Sequence, residues 1–452
     1  MKGLGYLCAA LALSACGTTT QDLGGDRLSS SGGSAGSGGS AGASSKAGSG
    51  GGTFEPGQLF AGGNVTCLKR ADGVVKCWGQ NDLGQLSVAS EETCDRAPCA
   101  HQPRTTANLA NAKVIALGHR FGCAIQADGA TQCWGENSLG QLGRGTNDAD
   151  GHQDPFTLEV TQATALVAGA QHACALTEAG DVSCWGLGES GQLGLDPADL
   201  ATCVVPEPAR GAPGVPEADT AACALEPTPV PAFHGAVQLA LGDAHSCARF
   251  EDGRVLCVGR GASGELGGGA RPETSFEPIE AFTKDVNLLA AGGRHNCAIV
   301  GQRVRCWGAN EAGQLGVGST TQEECGLGSC LSTPTLLGDL PGTRELALGQ
   351  SFSCALLADG KTRCWGSDER GQLGNSSAAI ESCSLPSGET LSCSPRPLQN
   401  AYDLVDAIEL RVGAEHACAT VGNEVRCWGS SAQGQTSDHN DRTFPGTVYG
   451  LN

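Results

Sequence analysis

A unit built on two cysteines recurs seven times along this 452-residue chain. The pairs are Cys67 with Cys77, Cys123 with Cys133, Cys174 with Cys184, Cys247 with Cys257, Cys297 with Cys306, Cys354 with Cys364 and Cys418 with Cys427. Trp-Gly follows the second cysteine in six copies, and Val258-Gly259 follows it in the fourth. Some five residues later comes Gly-Gln-Leu-Gly or a close variant, and an apolar run such as "VIALG" or "ELALG" precedes the first cysteine. The interval between copies is about 50 to 73 residues. Units of this size cannot bury a hydrophobic face alone and must stack on one another.

The cysteine spacing defines a hairpin. If the two cysteines face each other across antiparallel strands, a separation of ten leaves a three-residue loop. Those loops are Ala71-Asp72-Gly73, Ala127-Asp128-Gly129, Glu178-Ala179-Gly180, Glu251-Asp252-Gly253 and Ala358-Asp359-Gly360. Gly always comes last, where such a loop needs a left-handed residue. The two pairs nine apart leave Gly301-Gln302 and Gly422-Asn423, which suit two-residue turns. Directly opposed residues have Cα spacings that a disulfide accepts. Free buried cysteine and metal ligation are the alternatives. The spacing and an exported chain with 24 cysteines favour disulfides.

Several short strands per unit, repeated seven times, predict an all-β fold, a β-propeller. The segment "HACALTEAGDVSCWGLGESGQLG", His172 to Gly194, resembles the regulator of chromosome condensation repeat, and the resemblance extends over roughly Glu55 to Asn452. It implies a seven-bladed β-propeller with four-stranded blades. The chain departs from the family pattern in its cysteine pairs and its long insertions. The family includes exchange factors for a small nuclear GTPase and bacterial propellers that inhibit β-lactamases; those surfaces find no residue-by-residue match here. The first repeat lacks the Pro-containing strand that precedes each inner apolar run. The C-terminal "TFPGTVYGLN" is therefore expected to complete the first blade.

The N-terminus reads as an export signal: one Lys, a short apolar stretch, then small residues. Leu13-Ser14-Ala15-Cys16-Gly17 resembles a bacterial lipobox, which implies cleavage before Cys16 and lipidation of that residue. The expected organisation is a lipoprotein signal peptide at 1–15, a Gly/Ser-rich tether at 16–53 and the propeller at 54–452. The tether has no apolar residue larger than Ala between Ser29 and Gly52 and cannot build a core. Gly17 after the cysteine points, by resemblance to Gram-negative sorting rules, to the outer membrane. No run of 18 apolar residues exists to span a bilayer as a helix. A net charge of -20 argues against nucleic acid, which needs clustered Lys and Arg.

Four insertions leave the repeat just after Gly-Gln-Leu, at 87–103, 195–229, 317–334 and 375–397, and each carries its own cysteine pair. These pairs are Cys94 with Cys99, Cys203 with Cys223, Cys325 with Cys330 and Cys383 with Cys393, with a zinc site shared between two loops as the alternative to disulfides. Their net charges are -2, -5, -2 and -1, half of the chain's -20. Equivalent points in a propeller lie on one face, so the loops should crowd together there as a pre-organised, acidic surface. His172, His245, His295 and His416 hold one repeat position, which is Val65, Phe121 or Phe352 elsewhere. That substitution pattern marks a packing site, with the ring bonded to backbone, rather than a metal or catalytic centre. "TNDADGHQDP" offers Asp148, Asp150 and Gly151 to a calcium ion but lacks the acidic first and twelfth positions.

The chain is accordingly expected to be an envelope-anchored, monomeric propeller that binds an extracytoplasmic protein, a basic one by charge, with no cofactor and no catalytic residues. A lectin or adhesin, or an extracytoplasmic enzyme with a site on one face, are the alternative readings.

Overall fold

The computed structural model describes residues 57–451 apart from 95, 319–322, 326–327, 339, 376–379, 386–387 and 400–403. Cys16, the signal segment and the tether lie outside the described residues. Seven antiparallel sheets form a ring. Within each blade the four strands of the repeat run outward in chain order, as in Val114–Leu117, Phe121–Ile125, Thr131–Glu136 and Gly151–Leu158 of blade two. The apolar runs are the inner strands. Around the channel each touches the next, from Gln58–Gly62 in blade one to Ala407–Val412 in blade seven and back. They are buried along most of their length because neighbouring blades cover both faces. Main-chain bonds also run from blade to blade around the channel, among them Ala170 N to Gly242 O, Asp243 N to Gly293 O and Ala414 N to Gly63 O.

The predicted hairpins form in register. Each repeat cysteine on the second strand lies directly opposite its partner on the third. All seven pairs are disulfides: Cys67 bonds Cys77, Cys123 bonds Cys133, Cys174 bonds Cys184, Cys247 bonds Cys257, Cys297 bonds Cys306, Cys354 bonds Cys364 and Cys418 bonds Cys427. Their Cα separations are 4.0 to 4.1 Å. The bonded sulfurs set aside both alternatives, free buried cysteine and metal ligation, since a metal binds the thiolate. In the first hairpin Gly73 has φ +85° and donates its N–H to the Arg70 carbonyl. Gly301 and Gly422 open the two-residue turns at φ +62° and +56°, the place where a II′ turn requires glycine.

Ring closure differs from the expectation. Residues Arg442–Thr447 pair with Glu424–Gly429 and complete the seventh blade, not the first. Blade one is completed by its own downstream strand, Ala97–Thr105. The Pro-containing segment belongs to the blade before it, as the outer strand. Register shifts opposite the third strand bulge each outer strand, and Pro103, Pro155, Pro227, Pro278, Pro334, Pro397 and Pro445 sit in these bulges. Proline has no N–H for a ladder, so an outer strand at a bulge tolerates it where a central strand would not. The tail beyond Thr447 still seals the seam by packing. Val448 and Leu451 are buried with Leu59, Leu68 and Trp78 of blade one. Lys76 and Arg70 of blade one donate to the carbonyls of Gly450 and Leu451 at 2.7 and 3.2 Å.

The Gly-Gln-Leu loop explains itself at the blade interfaces. The glutamine side-chain oxygen accepts the N–H two residues back, as in Gln141 Oε1 with Leu139 N at 2.7 Å. Its main-chain carbonyl accepts the indole N–H of the next blade: Trp134 on Gln85, Trp185 on Gln141, Trp78 on Gln435. The leucine enters the core, and the glycine rests on the next blade's outer strand. At Gly84, where φ is +80°, a Cβ would lie 2.7 Å from Gln153 Cα.

Candidate binding face

In a blade whose strands run outward in order, the turn from first to second strand and the connection from third to outer strand open on the same side. All four insertions are third-to-outer connections, so they share one face of the ring, as their common point of exit predicts. None is an unstructured loop. The inserted strands Glu92–Cys94, Ala201–Val204, Glu323–Cys325 and Glu381–Ser384 each fold back on the start of their blade's outer strand as a fifth strand. Four of the seven blades therefore carry one strand more than the family pattern of four.

The insertion cysteines bridge within each hairpin. Cys94–Cys99, Cys203–Cys223, Cys325–Cys330 and Cys383–Cys393 join diagonal positions at Cα separations of 5.7 to 6.0 Å. In the third blade, for example, Cys203 pairs with Ala221 while Cys223 pairs with Ala201. These bonds overturn the alternative of a zinc site shared between two loops, because the sulfurs are not thiolates. The same bonds remove the clusters Cys94–Cys99–His101 and Glu323–Cys325–Cys330 as metal sites.

The hairpins reach across to neighbouring blades. Glu323 of blade five pairs with Arg271 of blade four at 3.3 Å. His101, beside the blade-one hairpin, packs against His439 of blade seven with ring centroids 4.0 Å apart and the rings tilted by 44°. Glu92 in that hairpin binds both Arg104 and the His101 main chain, which holds its carboxyl below the usual range against the opposing effect of burial. The blade-three insertion goes furthest. Cys203, Val205, Ala209 and Val215 form a small core with Leu139 and Leu187, and residues Gly211–Val215 lie over the mouth of the channel.

The four histidines are buried and lie between blades. Their bonding differs from the expected backbone contact: Nε2 meets a side chain of the next blade. His172 bonds Ser246 at 2.9 Å, His245 bonds Asn296 at 3.0 Å, His295 bonds Ser353 at 2.7 Å and His416 bonds Thr66 at 2.7 Å. Each partner donates its own proton to a loop carbonyl, for example Ser353 Oγ to Gln314 O at 2.9 Å, so Nε2 carries the hydrogen. Where the position is Phe121 or Phe352, the next blade offers Ala173 or Ala417. The pattern is a pairing rule between adjacent blades. Burial pushes these imidazoles down to about 3 for His172, His295 and His416 and about 4 for His245, so all are neutral near pH 7.

Asp148 is engaged by His152 at 2.7 Å and by the Asn137 amide at 3.4 Å, and Asp150 donates its N–H to the Asp148 side chain at 3.2 Å. These contacts make the segment an internally bonded acidic turn, with Asp148 committed to its neighbours.

One charged cluster escaped the sequence reading. Asp243, Arg260, Glu265 and Arg294 converge at the channel mouth beneath Gly211–Val215. The signal was present as irregularity: blade four alone replaces the repeat tryptophan, with Val258, and the loop glutamine, with Glu265.

The fold and face define a disulfide-stapled seven-bladed propeller with one elaborated surface. The chain carries repeats matched by the models of the regulator of chromosome condensation (RCC1) repeat family. The repeat profile of that family matches residues 163–192, 236–265, 303–356 and 344–372. Among curated proteins, the chain is 27% identical to the ultraviolet-B receptor UVR8 of Arabidopsis thaliana over 66% of this chain and 62% of the receptor. It is 28% identical to protein pim1 of Schizosaccharomyces pombe over 83% of this chain and 70% of that protein. A human E3 ubiquitin-protein ligase, HERC2, matches at 26% identity, but the chain spans 7% of its length. Among solved structures, Prp20p from Saccharomyces cerevisiae, described with its binding to Gsp1p and histones, superposes with a TM-score of 0.68 at 21% identity, covering 88% of this chain and 87% of that one. Human WBSCR16 superposes at 0.64 with 20% identity, covering 83% and 94%. At such identities these superpositions speak for the fold alone.

Proposed function

We propose that this propeller is a protein-binding scaffold, held at a bacterial cell envelope through a lipid on Cys16, that takes a basic extracytoplasmic partner on the hairpin-bearing face. The observation that carries the reading is the construction of that face: four insertions, each cross-linked as a rigid hairpin, on one side of the ring. A stapled hairpin loses little entropy on binding. The insertions hold half of the net charge of -20, which favours and steers a positively charged partner. Prp20p, of the same fold, binds proteins, and the role proposed here is of that kind, without catalysis. The lipobox-like segment and the Gly/Ser-rich stretch after it support placement in the outer membrane. The test replaces the four insertions with short Gly-Ser turns in the oxidised protein. Circular dichroism should stay native while cross-linking to the partner in intact envelopes is lost and, in the parent, weakens with salt. Unchanged cross-linking by the shortened protein would move the binding surface to the opposite face. Cys16→Ala should release the otherwise intact protein from membranes, and retention would rule out that anchor.

A further inference from the structure

Blade four breaks the repeat where the other six agree, and the break borders a cavity of about 370 Å³ at the channel mouth. In the other blades the loop residue is Gln85, Gln141, Gln192, Gln314, Gln372 or Gln435; here it is Glu265. One oxygen does the usual work: Oε2 accepts Ser263 N–H at 2.8 Å. The other oxygen, Oε1, takes the place of an amide N–H₂ that donates in five of the other six blades, as in Gln141 Nε2 to Gln171 Oε1 at 2.9 Å, and is unpaired only at Gln192 among the described residues. Glu265 is fully buried and its Oε1 has no hydrogen-bond partner. Leaving a buried acceptor unmet is unfavourable, and more so when it is charged.

Asp243 and Arg260 also border the cavity, and neither spends its side chain on a hydrogen bond to another described residue. Arg294 gives one N–H to Glu311 at 2.8 Å and keeps the rest of its guanidinium. Both arginines act on both carboxyls across the cavity by charge alone. Burial still outweighs them, raising Asp243 to about 6 and Glu265 to about 7. The roof is built to sit close. Gly214 has φ +79°, and a Cβ there would lie 2.3 Å from the Asp243 carbonyl oxygen. Ala212, Pro213 and Val215 give the roof an apolar surface.

We propose that this cavity binds a free α-amino acid, with the ammonium group on Asp243 and the charge of the buried Glu265 behind it, the carboxylate on Arg260 and Arg294, and the side chain under the 211–215 roof. The cavity offers two carboxyls and two guanidiniums. A ligand with one charge would satisfy one pair and repel the other, whereas a zwitterion satisfies both. The site stands independently of protein binding by the hairpins.

The test is titration calorimetry on the oxidised full propeller with each of the twenty free amino acids, up to about 10 mM. At least one should bind. Its N-acetyl derivative, its amide and inorganic phosphate should each bind at least about tenfold more weakly. Glu265→Gln restores the repeat residue and so preserves the fold. It should weaken binding about tenfold, and Arg260→Ala should do the same from the carboxylate side. Absence of binding by all twenty would overturn the proposal. So would an N-acetyl derivative or phosphate that binds as tightly as the free amino acid, or unchanged affinity in Glu265→Gln with native circular dichroism.

Discussion

The pairing between blades can be tested at the seam where the chain ends meet. His416 Nε2 donates to Thr66 Oγ1 at 2.7 Å, and Thr66 donates onward to the Gln435 carbonyl at 3.3 Å. Thr66→Ala removes the acceptor and leaves a fully buried imidazole N–H with no partner, at a cost of about 1–3 kcal/mol. Adding His416→Phe recreates the Phe352–Ala417 arrangement between blades six and seven. The double variant should recover to within about 1 kcal/mol of the parent, a favourable coupling energy of about 1–2 kcal/mol. Guanidinium unfolding followed by tryptophan fluorescence, with the disulfides intact, measures it. The pH profile gives a second reading of the same residue. Burial holds His416 at about 3 in the folded protein, below the 6.5 of an unfolded imidazole. Its stabilising neutral state is thus fully present above about pH 6.5 and is lost as pH falls toward 3. At pH 5 one such histidine costs about 2 kcal/mol relative to pH 7. The double variant should escape that loss. If Thr66→Ala and the double variant are equally destabilised, or if parent and double variant have parallel pH profiles, the reasoning is wrong.

Deleting residues 448–452 removes the buried Val448 and Leu451 and should cost about 3–5 kcal/mol by apolar burial alone, read as a lower unfolding midpoint. Replacing Cys123 and Cys133 by Ala should lower stability by about 2–3 kcal/mol, since the bridge closes a ten-residue loop in the core. Replacing Cys94 and Cys99 by Ala should leave the global midpoint within about 1 kcal/mol, because the bridge ties down an edge strand, Glu92–Cys94, that can open without the rest of the blade. The same change should raise proteolytic cutting within the hairpin and weaken partner cross-linking.

The sequence by itself determined the ring. Cysteines nine or ten apart, with glycine at the loop position that needs positive φ, dictate a facing hairpin. Seven such hairpins with Trp-Gly and Gly-Gln-Leu dictate stacked blades. These are local constraints, so they survive in a one-dimensional reading. The common exit point of the insertions likewise placed them on one face. Strand ownership was not legible: a Pro-containing segment between two apolar runs pairs equally well on paper with either neighbour. Only the register, with proline housed in an outer-strand bulge, assigned it to the preceding blade and so decided how the ring closes. The histidine partners were hidden for the same reason. Thr66 and His416 are 350 residues apart, and nothing in either segment names the other. The cavity beneath Gly211–Val215 required the most from tertiary structure. Its four charged groups come from two blades and its roof from a third. An unmet oxygen on Glu265 acquires meaning only when the fold has excluded water from it.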